Sequence, residues 1–237
     1  MHHLLRHFIV SPTKNYLEYR KFRKLYSRFR DFTMIPEEFF IRNCMLIDEY
    51  KNVDGDYVEC GVWKGGMSGA AASILGSAKE YLLFDSFQGL PKAHEIDGIA
   101  AVNWQNDKQI QSSYKNCSAE KNFAIQAMKL AGDIKFKLVE GWFEDTLPTY
   151  QFNRQIAVLR LDGDWYESTL TCLKYLFPHV AEGGLIILDD YYFWDGCSKA
   201  VHDYLSSIKS TCRLYQSGRG VSYIVKKGEI NEVGYRI

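Results

Sequence analysis

The chain has no apolar run near the roughly 18 residues that a transmembrane helix needs, and its opening Met1-His2-His3-Leu4-Leu5-Arg6 lacks the apolar core of a signal peptide. A cytoplasmic protein is therefore expected. Prolines number only five, and no Pro/Gly/Ser-rich stretch marks a linker. One α/β domain over residues 51–237 is expected, preceded by a helical extension over residues 1–50. The six cysteines (Cys44, Cys60, Cys117, Cys172, Cys197, Cys212) form no Cys-x-x-Cys pair, which argues against a zinc site and fits a reducing compartment. Neither charge is in excess, since Lys+Arg and Asp+Glu are both 29. No overall field draws nucleic acid or acidic lipid to the chain, so a substrate must be recognised locally.

What charge bias there is lies at one end. Residues 1–30 hold eight basic residues against the single acid Glu18, with Tyr16, Tyr19, Phe22, Leu25, Tyr26 and Phe29 at helical spacing. This pattern predicts an amphipathic helix that packs its aromatic stripe on its own domain or on a sister subunit. Docking of its basic face on a membrane surface is the less favoured reading.

A second helix is expected from Pro36 to Tyr50. Beyond it, Tyr57–Cys60, Tyr81–Asp85, Phe136–Val139, Ile156–Leu161 and Leu185–Leu188 are short apolar runs separated by helix-length segments, the pattern of a parallel sheet covered on both faces. Two further runs, Cys212–Tyr215 and Val221–Val225, are joined too tightly for a helical crossover and should form an antiparallel hairpin. The expected fold is thus a doubly wound, seven-stranded and mostly parallel sheet with an antiparallel C-terminal edge strand, the arrangement of Rossmann-like methyltransferases. Pro91–Gln111 shows little periodicity and reads as a lid over a ligand.

A glycine-rich turn, Gly61-Val62-Trp63-Lys64-Gly65-Gly66, follows the first strand, where α/β folds bind nucleotides. Its spacing is not the G-x-G-x-x-G of dinucleotide enzymes, which counts against NAD. Asp85, 24 positions beyond Gly61 and at the tip of the second strand, is placed to accept ribose hydroxyls, with Ser86 beside it. Trp142 and Phe143 follow the third strand and offer flat side chains either to an adenine or to the core.

Asp162 and Asp164 follow one strand and Asp189 and Asp190 follow another, with neighbouring strands about 4.8 Å apart. Carboxylates gathered so closely repel unless protonated or neutralised, and oxygen ligands without His or Cys point to Mg²⁺, Mn²⁺ or Ca²⁺. The competing reading makes them helix caps, Asp164 for a helix over Glu167–Phe177 and Asp195 for one ending near Ile208. Of the six histidines, only His94 and His202 stand where a proton acceptor is conceivable, and surface positions are expected for both.

These motifs resemble the macrocin O-methyltransferase family. The likeness rests on Val58–Gly66, Phe84–Pro91, Gly141–Pro148, Leu159–Thr169 and Gly183–Tyr191. It implies a sugar O-methyltransferase that uses S-adenosylmethionine and Mg²⁺ and assembles as a homo-oligomer, acting on a sugar-bearing small molecule or glycan. It further implies that Glu59 and Gly61 shape the cofactor pocket, that Asp85 holds the ribose, that Trp142 and Phe143 lie by the adenine, and that Asp162, Asp189 and Asp190 bind the metal. Catechol-type methyltransferases place a lysine three positions after the first metal aspartate, where this chain has Trp165. Asp164 is therefore expected to act as the base together with the metal-bound Asp162. The rival readings are a metal-dependent glycosyltransferase, with Asp162-Gly163-Asp164 as its Asp-x-Asp, and a non-catalytic binding protein.

Overall fold

A computed structural model describes residues 12–218 and 220–227. Arg6, the opening Met1–Leu5 stretch and Arg219 in the hairpin turn lie outside the described residues, as do the side chains of Lys14 and Tyr16. In chain order the elements are α1 (Pro12–Phe29), α2 (Glu37–Glu49), β1 (Asp56–Cys60), α3 (Gly66–Leu75), β2 (Tyr81–Asp85), α4 (Ile99–Asn106), α5 (Lys108–Tyr114) and α6 (Lys121–Leu130). They continue with β3 (Phe136–Glu140), α7 (Phe143–Thr146), β4 (Ile156–Leu161), α8 (Tyr166–Leu176), β5 (Val180–Leu188), α9 (Asp195–Ser207), β6 (Leu214–Gln216) and β7 (Ser222–Val225).

The strands form one sheet in the order β3-β2-β1-β4-β5-β7-β6. Strands β1 to β5 are parallel, whereas β7 runs antiparallel to both β5 and β6. The hairpin thus closes one side of the sheet, with the reversed β7 against β5 and β6 at the rim. Side chains alternate between two cores, as the period of two requires. Tyr57, Leu83 and Val158 join Phe22, Phe40, Ile47 and Ala71 on the face of α1, α2, α3 and α6. Val58, Phe84 and Leu161 join Leu173 and Val201 on the face of α8 and α9. Being apolar toward both layers is what makes the central strands read as continuous hydrophobic runs.

Helix α3 is built of small residues because it is squeezed between neighbours. A Cβ on Gly69 would stand 2.5 Å from the Phe29 ring and 2.8 Å from the Ala127 carbonyl oxygen. Helix α1 buries Phe22 and Phe29 and sets Tyr26 edge-on to Phe40, with ring centroids 5.3 Å apart. Its basic face meets solvent, where pairs such as Arg23–Glu37 (2.9 Å) contribute at most about 1 kcal/mol.

Two expectations need correction. Strand β5 begins at Val180 rather than Leu185, because Gly183-Gly184 forms an irregularity inside the strand, Gly183 at φ +76°, instead of ending it. The 91–111 segment is largely helical, with a 3₁₀ turn at Glu95–Asp97 followed by α4 and α5. Tertiary hydrogen bonds hold these short helices. The Gln105 amide accepts from Ala93 N and donates to Pro91 O and Asn116 Oδ1, and Asp107 caps α5 by accepting from Gln109 N and Ile110 N.

The embedding of α1 has a measurable consequence. Replacing Phe29, which is fully buried, by alanine should lower the unfolding free energy by about 3–5 kcal/mol in urea denaturation.

Candidate functional site

Register builds the site. Cys60 pairs with Phe84 and with Leu161, Leu161 with Leu188, and Asp85 with Glu140. The ends of β3, β2, β1, β4 and β5 therefore form one row, and the next residues continue it: Gly61 N donates to Phe84 O, Asp162 N to Cys60 O and Asp189 N to Leu161 O.

Gly61 sits at φ +90°, and any Cβ there would overlap the Asp162 carbonyl oxygen. Only glycine allows the turn to pass so close to β4. Asp85 ties that turn to β2. Its Oδ2 accepts from Val62 N and Trp63 N, both at 2.7 Å, and its Oδ1 from Phe87 N at 2.6 Å. Burial pushes the Asp85 carboxyl up even though these three N–H groups favour its charged form. Gly61, Trp63, Asp85, Ser86, Trp142, Phe143, Asp162 and Asp164 border one cleft, open to solvent, at this edge of the sheet.

Glu59 does not line that cleft. It is 1% exposed and lies beneath it, accepting from Tyr57 Oη (3.0 Å), from Ser68 Oγ and from Arg160 Nη1 (2.8 Å). Arg160, which sequence reasoning passed over, is fully buried in β4. Its Nη1 also donates to Asp162 Oδ2 at 2.8 Å, and its Nη2 lies 2.7 Å from Asp189 Oδ1. Burial alone would weaken its charge, but Asp189, Asp162 and Glu59 hold its pKa above the usual range. The available signal was one charged residue in a strand whose six residues are otherwise apolar.

Asp162, Asp164 and Asp190 each present an oxygen within 4.8 Å of the other two. Asp189, also expected among the metal ligands, lies outside this trio and has its Oδ1 2.7 Å from Arg160 Nη2. Each of the three commits one oxygen to a protein donor: Asp162 Oδ2 to Arg160, Asp190 Oδ2 to Asp164 N at 2.9 Å, and Asp164 Oδ1 to Trp194 Nε1 at 2.9 Å. Burial, followed by the neighbouring carboxylates, raises all three, Asp164 to about 7. The capping alternative fails for both aspartates it named. Helix α8 takes its cap from Asp97, whose Oδ1 accepts from Tyr166 N at 2.7 Å, and Asp195 lies inside the first turn of α9 without a capping bond. His94 and His202 are both exposed, the latter against Tyr191 Oη at 2.9 Å.

A second cleft, which shares Asp162 and Met34 with the first, is bordered by Asp162, Asp189 and Asp190. Met34, Phe39, Tyr114 and Phe193 give it apolar walls. The acids thus border two spaces, one next to the glycine-rich turn and one next to aromatic side chains.

Comparison with known proteins agrees with this geometry. The profile of the macrocin O-methyltransferase (TylF) family matches residues 29–216. The chain is 36% identical over 169 residues to 8-demethyl-8-(2,3-dimethoxy-alpha-L-rhamnosyl)-tetracenomycin-C 4'-O-methyltransferase of Streptomyces olivaceus, covering 64% of this chain and 58% of that protein. It is 33% identical over 172 residues to mycinamicin III 3''-O-methyltransferase of Micromonospora griseorubida, covering 69% and 65%. The chain therefore spans about 60% of the length of these relatives. The solved structure of the O-methyltransferase NovP superposes with a TM-score of 0.68 at 29% identity, covering 83% of both chains. The fold is that of class I methyltransferases.

Two outcomes follow from the charges. Asp162, Asp164 and Asp190 have folded pKa values raised above those of the unfolded chain, so the stability they contribute is complete below about pH 4 and is lost as pH rises through their folded values, about 7 for Asp164. For the metal-free protein, the melting temperature of Asp164→Asn should fall less steeply than that of the wild type between about pH 5 and 8. Arg160→Met, which leaves Glu59, Asp162 and Asp189 without their counter-charge, should lose about 3–5 kcal/mol of stability in the same denaturation assay.

Proposed function

This chain belongs to the macrocin O-methyltransferase family, and from that premise we propose that it transfers a methyl group from S-adenosylmethionine to a hydroxyl of a sugar carried by a small molecule or glycan, with Mg²⁺ or a similar cation at its acidic cluster. One observation carries the reading: the glycine-rich turn, the strand-end Asp85 and the acids Asp162 and Asp164 border the same cleft.

The residues fit both groups. Asp85 and Ser86 stand at the tip of β2, where an acidic side chain accepts ribose hydroxyls, Trp142 and Phe143 offer flat surfaces for an adenine, and Gly61 lets the turn lie against β4 at the edge of the cleft. Glu59 acts from below by holding Arg160. Asp162, Asp164 and Asp190 supply three hard oxygens of a kind that Mg²⁺, Mn²⁺ and Ca²⁺ take. We assign Asp164 in place of Asp189 as the third ligand, since Asp162, Asp164 and Asp190 are the carboxylates that gather within 4.8 Å of one another.

S-adenosylmethionine supplies an already activated methyl group, and a divalent cation supplies Lewis acidity toward a hydroxyl. The protein's task is to orient the hydroxyl and remove its proton. Asp164, whose carboxyl is raised to about 7 by burial in the protein without a cation, is the first acceptor for that proton. The apolar second cleft gives an acceptor a place to lie with its hydroxyl at the acids.

The names of the relatives support a sugar-bearing acceptor. A homo-oligomer in the cytoplasm, without nucleic acid or membrane as partner, completes the reading. Six free thiols support it, and no helix among the described residues is long and apolar enough to cross a membrane. A glycosyltransferase would need only Asp162-Gly163-Asp164 and would leave the glycine-rich turn without a role.

Calorimetric titration with S-adenosylhomocysteine, with and without Mg²⁺, tests the proposal. The wild type should bind, and Asp85→Ala should bind at least about tenfold more weakly while remaining folded by its melting temperature. Binding of a nucleotide-sugar by a wild type that ignores S-adenosylhomocysteine would replace the methyltransferase reading with the glycosyltransferase one.

A further inference from the structure

Trp194 touches the acidic cluster twice. Its backbone N–H donates to Asp190 O at 3.0 Å, and its indole N–H to Asp164 Oδ1 at 2.9 Å. The same ring packs edge-on against Trp165 (centroids 5.2 Å apart) and Trp104 (6.0 Å). Trp104 and Trp165 meet at 6.4 Å, and Trp165 Nε1 donates to Pro91 O at 2.9 Å. With Ala93 and Ala101 buried among them, these indoles form a small core of their own. Each comes from a different part of the chain: Trp104 from α4, Trp165 from just after Asp164, and Trp194 from just before α9.

Asp164 needs such a partner. It sits on left-handed backbone at φ +57°, an unusual conformation for a residue other than glycine. Its carboxylate must keep one oxygen toward Asp162 and Asp190, two groups that repel it when charged. A fixed donor to its Oδ1 sets the rotation of the carboxylate, and a hydrogen bond to a charged acceptor is among the stronger kinds.

We propose that Trp194 is a positioning residue: its indole N–H holds the Asp164 carboxylate in the orientation a cation at the cluster requires, and its packing on Trp104 ties that orientation to the 91–117 segment. The inference rests on the proposed cation site. A residue that orients a metal-binding carboxylate typically changes affinity roughly 10- to 100-fold when removed, and the ring contacts with Trp104 extend the dependence to α4.

Titration of the full-length protein with Mn²⁺ alone, by calorimetry, tests this. Trp194→Phe keeps the ring and loses the donor. It should bind Mn²⁺ about tenfold more weakly, with its affinity for S-adenosylhomocysteine within about twofold and its melting temperature close to that of the wild type. In an Asp164→Ala background, Trp194→Phe should cause no further loss, because the acceptor is already gone. Trp104→Leu, which leaves the donor in place, should weaken Mn²⁺ binding by a smaller factor. Unchanged Mn²⁺ affinity in Trp194→Phe would reduce Trp194 to packing and overturn the inference alone. A wild type that binds S-adenosylhomocysteine but not Mn²⁺ would remove the cation site and the inference with it, and unchanged affinity in Trp104→Leu would cut the tie to the 91–117 segment.

Discussion

Arg160 places a full positive charge inside the central strand of the sheet, with no exposure to water. An isolated charge in such a place would cost far more than the whole stability of a domain. It persists because Glu59 on β1, Asp162 at the end of β4 and Asp189 at the end of β5 surround it. The dependence is mutual, since those three carboxylates would repel one another without the guanidinium. One buried cation thereby fixes the spacing of three neighbouring strand ends and decides which acids remain for other work. Asp162 and Asp189 each pair one oxygen with it, and Asp164 and Asp190 are left without a counter-charge at hydrogen-bonding distance.

Strand register converts that balance into a site. Because β2, β1, β4 and β5 end in one row, a residue just past any strand end arrives at the same edge as the others. Gly61 brings the turn against Asp162, and Asp85 reaches across to the N–H groups of Val62 and Trp63. The cleft floor is therefore continuous from the glycine-rich turn to the acids. The strain of left-handed backbone at Trp63, Phe87 and Asp164 is concentrated around this floor, as is usual where a scaffold must present groups in one direction.

Much of this was legible in the sequence. Tyr81–Asp85 and Ile156–Leu161 form strands with the expected bounds, because buried parallel strands must be apolar on both faces and so stand out. The glycine-rich turn, Asp85 and the gathering of acids at one edge follow from the same pattern. Other features depend on where side chains point after folding. The sequence shows four aspartates in two pairs, but only the folded positions show that Asp162, Asp164 and Asp190 gather most closely. The helices α4 and α5 escaped notice because, at eight and seven residues, they are too short for a clear apolar stripe and are held by Gln105, Asp107 and Asn116. The donor from Trp194 to Asp164 spans 30 positions, and no local spacing rule reaches that far.

Under the proposed function, the excess of carboxyl groups becomes intelligible as a property of the site rather than a flaw in it. Five acids gather where one guanidinium pairs with only three of them, and burial, together with repulsion between neighbouring carboxylates, raises the pKa values of Asp162, Asp164 and Asp190 in the protein without a cation. A group that relieves the repulsion binds with that energy in its favour, and a divalent cation relieves it more fully than protons do near neutral pH, where Asp164 at about 7 is already partly ionised. The same charge disfavours an anionic acceptor in the second cleft, whose walls of Met34, Phe39 and Phe193 instead suit an uncharged body. A neutral hydroxyl carried on such a body meets both demands, because it needs no counter-charge of its own until its proton leaves, and the base that takes the proton is one of the groups that created the repulsion.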